Sequence, residues 1–193
     1  MLLTGQEIQR HIGGQIDIDP FDPARINPNS YNLSLHDELL IYEEVVLDAA
    51  SPNRYRRVSI PAGGITLQPG MLYLGRTVEY TKTNGLVPLI QGRSSLSRLG
   101  LFINPGGSLG QVGYCGTWTI ELNCVQPVRI YPAMQICQIF YMEVVGETAD
   151  YCSEKYQHSR DIQPSQLFRE FGNAIDDGQM ELDFDRLLQN ANR

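Results

Sequence analysis

Arg93, Ser94, Ser95 and Arg98 sit in Gln91-Gly92-Arg93-Ser94-Ser95-Leu96-Ser97-Arg98, where a strand pattern ends at glycine and a short helix opens. The free N–H groups of a helix N-terminus favour an anion. The guanidinium of Arg93 is a fork of donors matched to phosphate, and Ser94 and Ser95 add hydroxyl donors. Arg98 lies about one helical turn further on, within reach of the same place. The same residues also fit a plain serine cap with two solvated arginines, and local chemistry does not separate the two.

Glu121 is the second candidate. In Thr117-Trp118-Thr119-Ile120-Glu121-Leu122-Asn123-Cys124 the apolar face is Trp118, Ile120, Leu122 and Cys124, and Glu121 shares the other face with Thr119 and Asn123. A carboxylate in a closed pocket acquires a raised pKa and can shuttle protons; on a wet strand face it is an ordinary acidic residue. The loop Asn104-Pro105-Gly106-Gly107-Ser108-Leu109-Gly110-Gln111-Val112-Gly113 lets backbone approach a ligand, or simply connects two strands. Gln138 interrupts the apolar row Ile136, Gln138, Phe140, facing either a ligand or a neighbouring subunit. Tyr151 with Lys155-Tyr156-Gln157 is a ring, an ammonium and amides that could close over a nucleotide, or a solvated loop.

These groups need elements to hold them. Thr4-x-x-Glu7 reads as a capping box for a helix carrying Ile8, His11 and Ile12. Strands are expected over 31–35, 39–47, 55–60, 71–78, 86–91, 117–125, 128–131 and 135–145, with turns at Gly63-Gly64 and Pro69-Gly70. A second short helix is expected over 95–99. Many short strands at regular spacing predict a mainly β fold, a barrel or sandwich with short helices. Residues 161–193 are rich in Gln, Asn and Asp. They read as an acidic C-terminal tail after a domain of residues 1–160, with Phe184, Leu187 and Leu188 as a candidate helical stripe.

Composition narrows the function. The chain has 193 residues and 42% hydrophobic residues, enough for one domain core. A net charge of -7 argues against a general nucleic-acid binder, though local arginines can still hold a small polyanion. No apolar run is long enough for a transmembrane helix, and the N-terminus has no basic, then apolar, leader pattern. The expected location is therefore cytoplasmic, with no membrane partner. Cys115, Cys124, Cys137 and Cys152 form no C-x-x-C pair, so His36-Asp37-Glu38, the one H-x-E string, has no paired cysteines to complete a ligand set. Without these ligand signatures a zinc deaminase of the cytidine type is not expected.

The order of the motifs resembles the dCTP deaminase/dUTPase family. Ile26-Asn27-Pro28-Asn29-Ser30-Tyr31-Asn32-Leu33-Ser34-Leu35 is similar to its first motif, and Gln91 to Leu101 closely matches its most specific one. Gly113-Tyr114-x-Gly116-x-x-x-x-Glu121-Leu122-Asn123 resembles the strand bearing the deaminase glutamate, and Gln138-Ile139-Phe140 and Lys155-Tyr156 resemble later nucleotide-closing segments. The likeness covers about residues 1–160. It implies a distorted, dUTPase-like jelly-roll assembled as a homotrimer, with active sites between subunits. It implies dCTP and dUTP as ligands, dTTP as a candidate inhibitor, and Mg²⁺ carried by the triphosphate rather than by a protein metal site or zinc. By the same resemblance Glu121 is general base and acid, and Ser94, Arg98 and the Gly107 carbonyl position the attacking water. Arg93, Ser94 and Ser95 hold phosphates. Thr119 and Ile120 contact base or sugar through their backbone, and Gln138, Tyr151 and Lys155 complete the pocket.

Three departures qualify the product. Gln111 stands where family members usually carry an aspartate, and glutamine can bind a sugar hydroxyl but cannot act as a base. Gly107-Ser108-Leu109 lacks the histidine and arginine common in dUTP-releasing members, and so resembles the bifunctional, dUMP-forming branch. Ser159 holds the place of an expected glutamine. The leading expectation is deamination of dCTP to dUTP and ammonia. The alternatives are a bifunctional enzyme forming dUMP and pyrophosphate, and a non-catalytic trimeric nucleotide sensor.

Overall fold

A computed structural model describes residues 1–105, 107–148, 151 and 155–171. The chain opens with α1 (Gly5–His11), whose N-terminal Thr4 side chain accepts the Glu7 N–H at 3.3 Å. Only this half of the capping box forms, because the Glu7 carboxylate turns to Arg10 instead.

Among the described residues twelve strands come next. They are β1 (Ile16–Asp19), β2 (Ile26–Asn27), β3 (Ser30–Ser34), β4 (Glu38–Tyr42), β5 (Tyr55–Ser59), β6 (Ile65–Leu67), β7 (Tyr73–Thr83), β8 (Leu86–Gly92), β9 (Leu101–Pro105), β10 (Cys115–Cys124), β11 (Val128–Ile130) and β12 (Gln135–Glu143). The short helix α2 (Ser94–Ser97) joins β8 to β9. The fold is mainly β, as the patterning predicts, but the strands form three separate sheets rather than a closed barrel. A six-stranded sheet runs β5-β4-β7-β10-β9 with β1 also on β7, a four-stranded sheet runs β2-β3-β12-β8, and β6 pairs with β11. Among the described residues no helix is long and apolar enough to cross a membrane.

The long strand β7 organises the large sheet. β10 pairs along nearly its whole length, from Tyr73 to Lys82. Its other edge is shared, with β4 at Tyr73 and Leu74 and β1 at Tyr80 to Thr83. The register between β7 and β10 shifts at Trp118, where β7 carries extra residues. The Trp118 N–H there donates to the Thr77 hydroxyl at 3.0 Å, and its indole N–H donates to Thr81 at 2.8 Å. A bulge of this kind re-aims side chains locally.

The structure departs from the sequence expectations at several places, each for a physical reason. The strand expected over 39–47 stops at Tyr42, and Val45 and Val46 are exposed, because pairing with β7 ends at Ile41 and pairing with β5 at Tyr42. The strand expected over 71–78 spans Tyr73–Thr83, paired to its end with β1 and β10; apolar alternation does not mark its second half because the buried face there is polar: Thr77, Glu79, Thr81 and Thr83. Strands β1, β2, β6 and β9 are additional to the expected set. The helix expected over 95–99 is shifted back to Ser94–Ser97 and closed by Gly100 in the left-handed region. On β12 the buried face is Cys137, Ile139 and Tyr141, with Gln138 and Phe140 half-buried opposite. Cys115, Cys124 and Cys137 are buried free thiols. Cys152, Phe184, Leu187 and Leu188 lie outside the described residues.

Candidate active site

β10 sets Glu121 in the middle of the large sheet, directly across from Leu74 on β7 and Asn104 on β9. Its face alternates as the sequence predicts: Trp118, Ile120, Leu122 and Cys124 are buried, and Thr119, Glu121 and Asn123 half-buried. Glu121 lines a cavity of about 630 Å³, a size suited to a small-molecule ligand. Burial pushes its carboxyl pKa up; its own backbone N–H acts the other way, more weakly. A half-buried carboxylate of this kind can both take and return a proton.

The floor beside it is aromatic. The Tyr114 and Trp118 rings lie 4.3 Å apart, tilted, and both line the cavity. The strand pattern places Trp118 on the core face; it is buried, yet the bulge turns part of its ring to the cavity. Gly110 must be glycine here, since a Cβ would meet the Trp118 ring at 2.6 Å and Pro88 at 2.7 Å. The loop that carries Gly107 and Gln111 is not a loose connection. Ile90 N–H donates to Ser108 O and Gly110 N–H to Pro88 O, both at 2.7 Å, zipping the loop onto the edge of β8.

Residues 155–166 close another side. Gln157 bridges the Gly113 carbonyl and the Cys115 N–H at 2.8 and 3.1 Å. His158 N–H donates to Cys115 O and Thr117 N–H to Ser159 O, so the segment runs beside the first half of β10. Gln163 N–H then donates to the Thr119 hydroxyl at 2.9 Å, and Ser165 N–H to the Tyr42 hydroxyl at 2.9 Å. Tyr156, Gln163, Pro164 and Ser165 line the cavity.

The structure thus brings together Gly107, Gln111, Thr119, Glu121 and Tyr151. It does not bring the α2 group to them. Ser94, Ser95 and Arg98 are not among the cavity residues, and Arg93 is half-buried and donates to the Gln135 carbonyl at 3.2 Å. Neither serine caps α2; Arg93 is the N-terminal cap residue and offers no side-chain cap. Gln138 donates to Asn32 at 3.2 Å on the other sheet, the Ile120 side chain is in the core, and Lys155 pairs with Glu170. No Lys or Arg is among the described residues lining the cavity. Tyr42, Leu72, Leu74 and Gln163 also line it, and no motif in the sequence marks them. Their only signal is tertiary, because they reach the cavity from distant segments of the chain.

Comparison with known proteins identifies the family. Residues 2–144 match the dCTP deaminase-like family model. A protein of Rhodopirellula baltica named dCTP deaminase is 68% identical over 191 residues, 99% of this chain and 96% of that one. A protein of Clostridium beijerinckii named dCTP deaminase, dUMP-forming, is 52% identical over 171 residues, 89% of this chain and 99% of that one. The crystal structure of 2'-deoxycytidine 5'-triphosphate deaminase from Agrobacterium tumefaciens matches with TM-score 0.60 and 17% identity, covering 74% of this chain. This chain spans 48% of that protein, and the likeness speaks for the fold. On the family match and these identities, the chain belongs to the dCTP deaminase-like family.

Proposed function

We propose that the protein is an enzyme that hydrolytically deaminates dCTP. The observation that carries this reading is Glu121, a desolvated carboxylate in a nucleoside-sized cavity beside an aromatic floor. Ionised Glu121 takes a proton from water as the water oxygen bonds to C4 of cytosine. The same carboxyl delivers that proton to the ring nitrogen N3. Glu121 then takes the proton of the new C4 hydroxyl and passes it to N4, the C4–N4 bond breaks, ammonia leaves, and a carbonyl remains at C4. Each proton moves through one group, which needs a pKa raised toward the working pH.

The triphosphate needs positive charge that the described cavity lining lacks. Arg93, Ser94, Ser95 and Arg98 of a second copy supply it on this reading, with Ser94, Arg98 and the Gly107 carbonyl orienting the water. On the same reading the working unit is a homotrimer with sites between subunits. Gln111 bonds the sugar hydroxyl, the backbone of Thr119 and Ile120 contacts base and sugar, and Tyr151 completes the site from this chain, with Gln138 and Lys155, which lie outside its cavity lining, contributed by a second copy. Mg²⁺ arrives on the triphosphate and offsets its charge. Among the described residues no group of three or more His, Cys, Asp or Glu is arranged to hold a metal.

The products on this reading are dUTP and ammonia, since Gln111 cannot activate a second water. Continued cleavage to dUMP and pyrophosphate is the second reading. It is favoured by the dUMP-forming name of the Clostridium relative and by the Gly107-Ser108-Leu109 loop. Incubation with dCTP and Mg²⁺, with separation of nucleotides and assay of ammonia, tests both. Ammonia with dUTP supports the first reading and ammonia with dUMP the second; unchanged dCTP overturns the proposed activity.

A further inference from the structure

Arg57 lies on β5, the outermost strand of the large sheet, and does not line the cavity. Its guanidinium makes two parallel bonds to the Asp161 carboxylate, Nη1 to Oδ1 at 2.9 Å and Nη2 to Oδ2 at 2.8 Å. Nη1 also donates to Glu38 on the adjacent strand at 2.9 Å. A fork of this geometry fixes orientation as well as distance, which a single ammonium cannot do.

The residues after Asp161 give the pair its importance. Ile162 is buried in a small cluster with Leu40 and Leu74, with Tyr42 packed against it. Gln163, Pro164 and Ser165 come next and are cavity wall. Leu74 is itself the residue directly across from Glu121. The ionic fork, the apolar plug and the wall are therefore consecutive, and the plug packs on the neighbour of the proton-transferring group. The Arg57 charge also holds the Asp161 carboxyl below its usual pKa, so the pair is ionised at neutral pH.

We infer that Arg57 is a positioning residue for the proposed reaction: its fork to Asp161 holds residues 161–165 in the register that walls the cavity, and so sets nucleotide affinity without touching the nucleotide. This inference rests on the proposed deamination of dCTP. If only a fraction of molecules hold the wall in place, the apparent dissociation constant rises by the inverse of that fraction. The pair is partly exposed, so the effect is moderate.

The test measures dCTP kinetics for the native chain, Arg57→Ala and Arg57→Lys, with hydrogen exchange of residues 161–166 in the absence of nucleotide. Arg57→Ala is expected to raise KM about three- to tenfold, with kcat changed less than about twofold, through loss of the closed population. The Lys variant is expected to fall between, because it keeps the charge but not the fork. The native-to-Ala difference should shrink in about 1 M salt, where the Debye length is roughly 3 Å. Exchange of residues 161–166 should quicken in the Ala variant. If KM and exchange in Arg57→Ala equal the native values, the inference is overturned. A fall in kcat at unchanged KM overturns it equally. If Arg57→Ala does not fold, Arg57→Lys and Asp161→Asn carry the same comparison. Absence of turnover in the native chain would instead remove the proposed activity, while the exchange comparison would still decide whether Arg57 holds the segment.

Discussion

Leu74 stands directly across from Glu121 in the β7–β10 ladder, so the carboxylate is bordered on that side by an isobutyl group instead of water. Both side chains line the cavity. Desolvation of this kind penalises the ionised form and pushes the carboxyl pKa above its ordinary value of 4.5.

The pH dependence has a definite sign. The base form of Glu121 must be ionised, so kcat/KM for dCTP is expected to rise with pH through an acid limb that lies above the ordinary carboxylate value. Leu74→Ala admits water beside the carboxylate, favours its ionised form and should move that limb to lower pH. Profiles of the two proteins check this; a limb that stays in place means that Leu74 does not tune Glu121.

Trp118 is the only tryptophan in the chain, and it lines the cavity with its indole N–H fixed to Thr81. Titration with dCTP should therefore change its emission, and Thr81→Val, which removes the acceptor, should alter the emission of the free protein. Fluorescence of Glu121→Gln during a dCTP titration measures this without turnover. An emission spectrum unmoved by saturating dCTP would mean that the base does not reach the Tyr114–Trp118 floor.

Glu79 next to the bulge is fully buried and paired with Arg25, with the Ser34 N–H donating to it at 2.8 Å. Burial raises its pKa in spite of the arginine. Removing the partner strands a buried carboxylate, so Arg25→Ala is expected to cost about 3–5 kcal/mol in urea unfolding. Glu79→Gln leaves a neutral side chain in the interior and retains an acceptor for Ser34, so it should cost about 1–2 kcal/mol. Equal losses would mean that the pair is not acting through the buried charge.

The sequence is most legible where burial and hydrophobicity coincide. β10 is an example: Ile120 and Leu122 alternate with Thr119 and Glu121, and this alternation alone assigns the face that bears Glu121. It misleads where they part. Thr77, Glu79, Thr81 and Thr83 are buried but polar, so the second half of β7 carries no strand-like apolar row; Val45 and Val46 are apolar but exposed, so they mimic a strand. The site shows the same division. Gly107, Gln111, Thr119, Glu121 and Tyr151 converge on one cavity, and they come from two motifs close together and one further along the chain. Leu72, Leu74, Tyr42 and Gln163 reach it only through strand pairing and the wrapping of residues 155–166, which no local pattern encodes. The α2 residues stand together in the fold as in the sequence, yet within one chain they lie outside the cavity lining, a separation that sequence spacing does not encode.

The most direct test of the account is ammonia release from dCTP by the native protein and by Glu121→Gln, with dCTP binding measured on both. The substitution is expected to lower turnover by about 10²–10⁴-fold, the usual contribution of a general acid–base group, while dCTP still binds. Turnover by Glu121→Gln close to the native rate would contradict it.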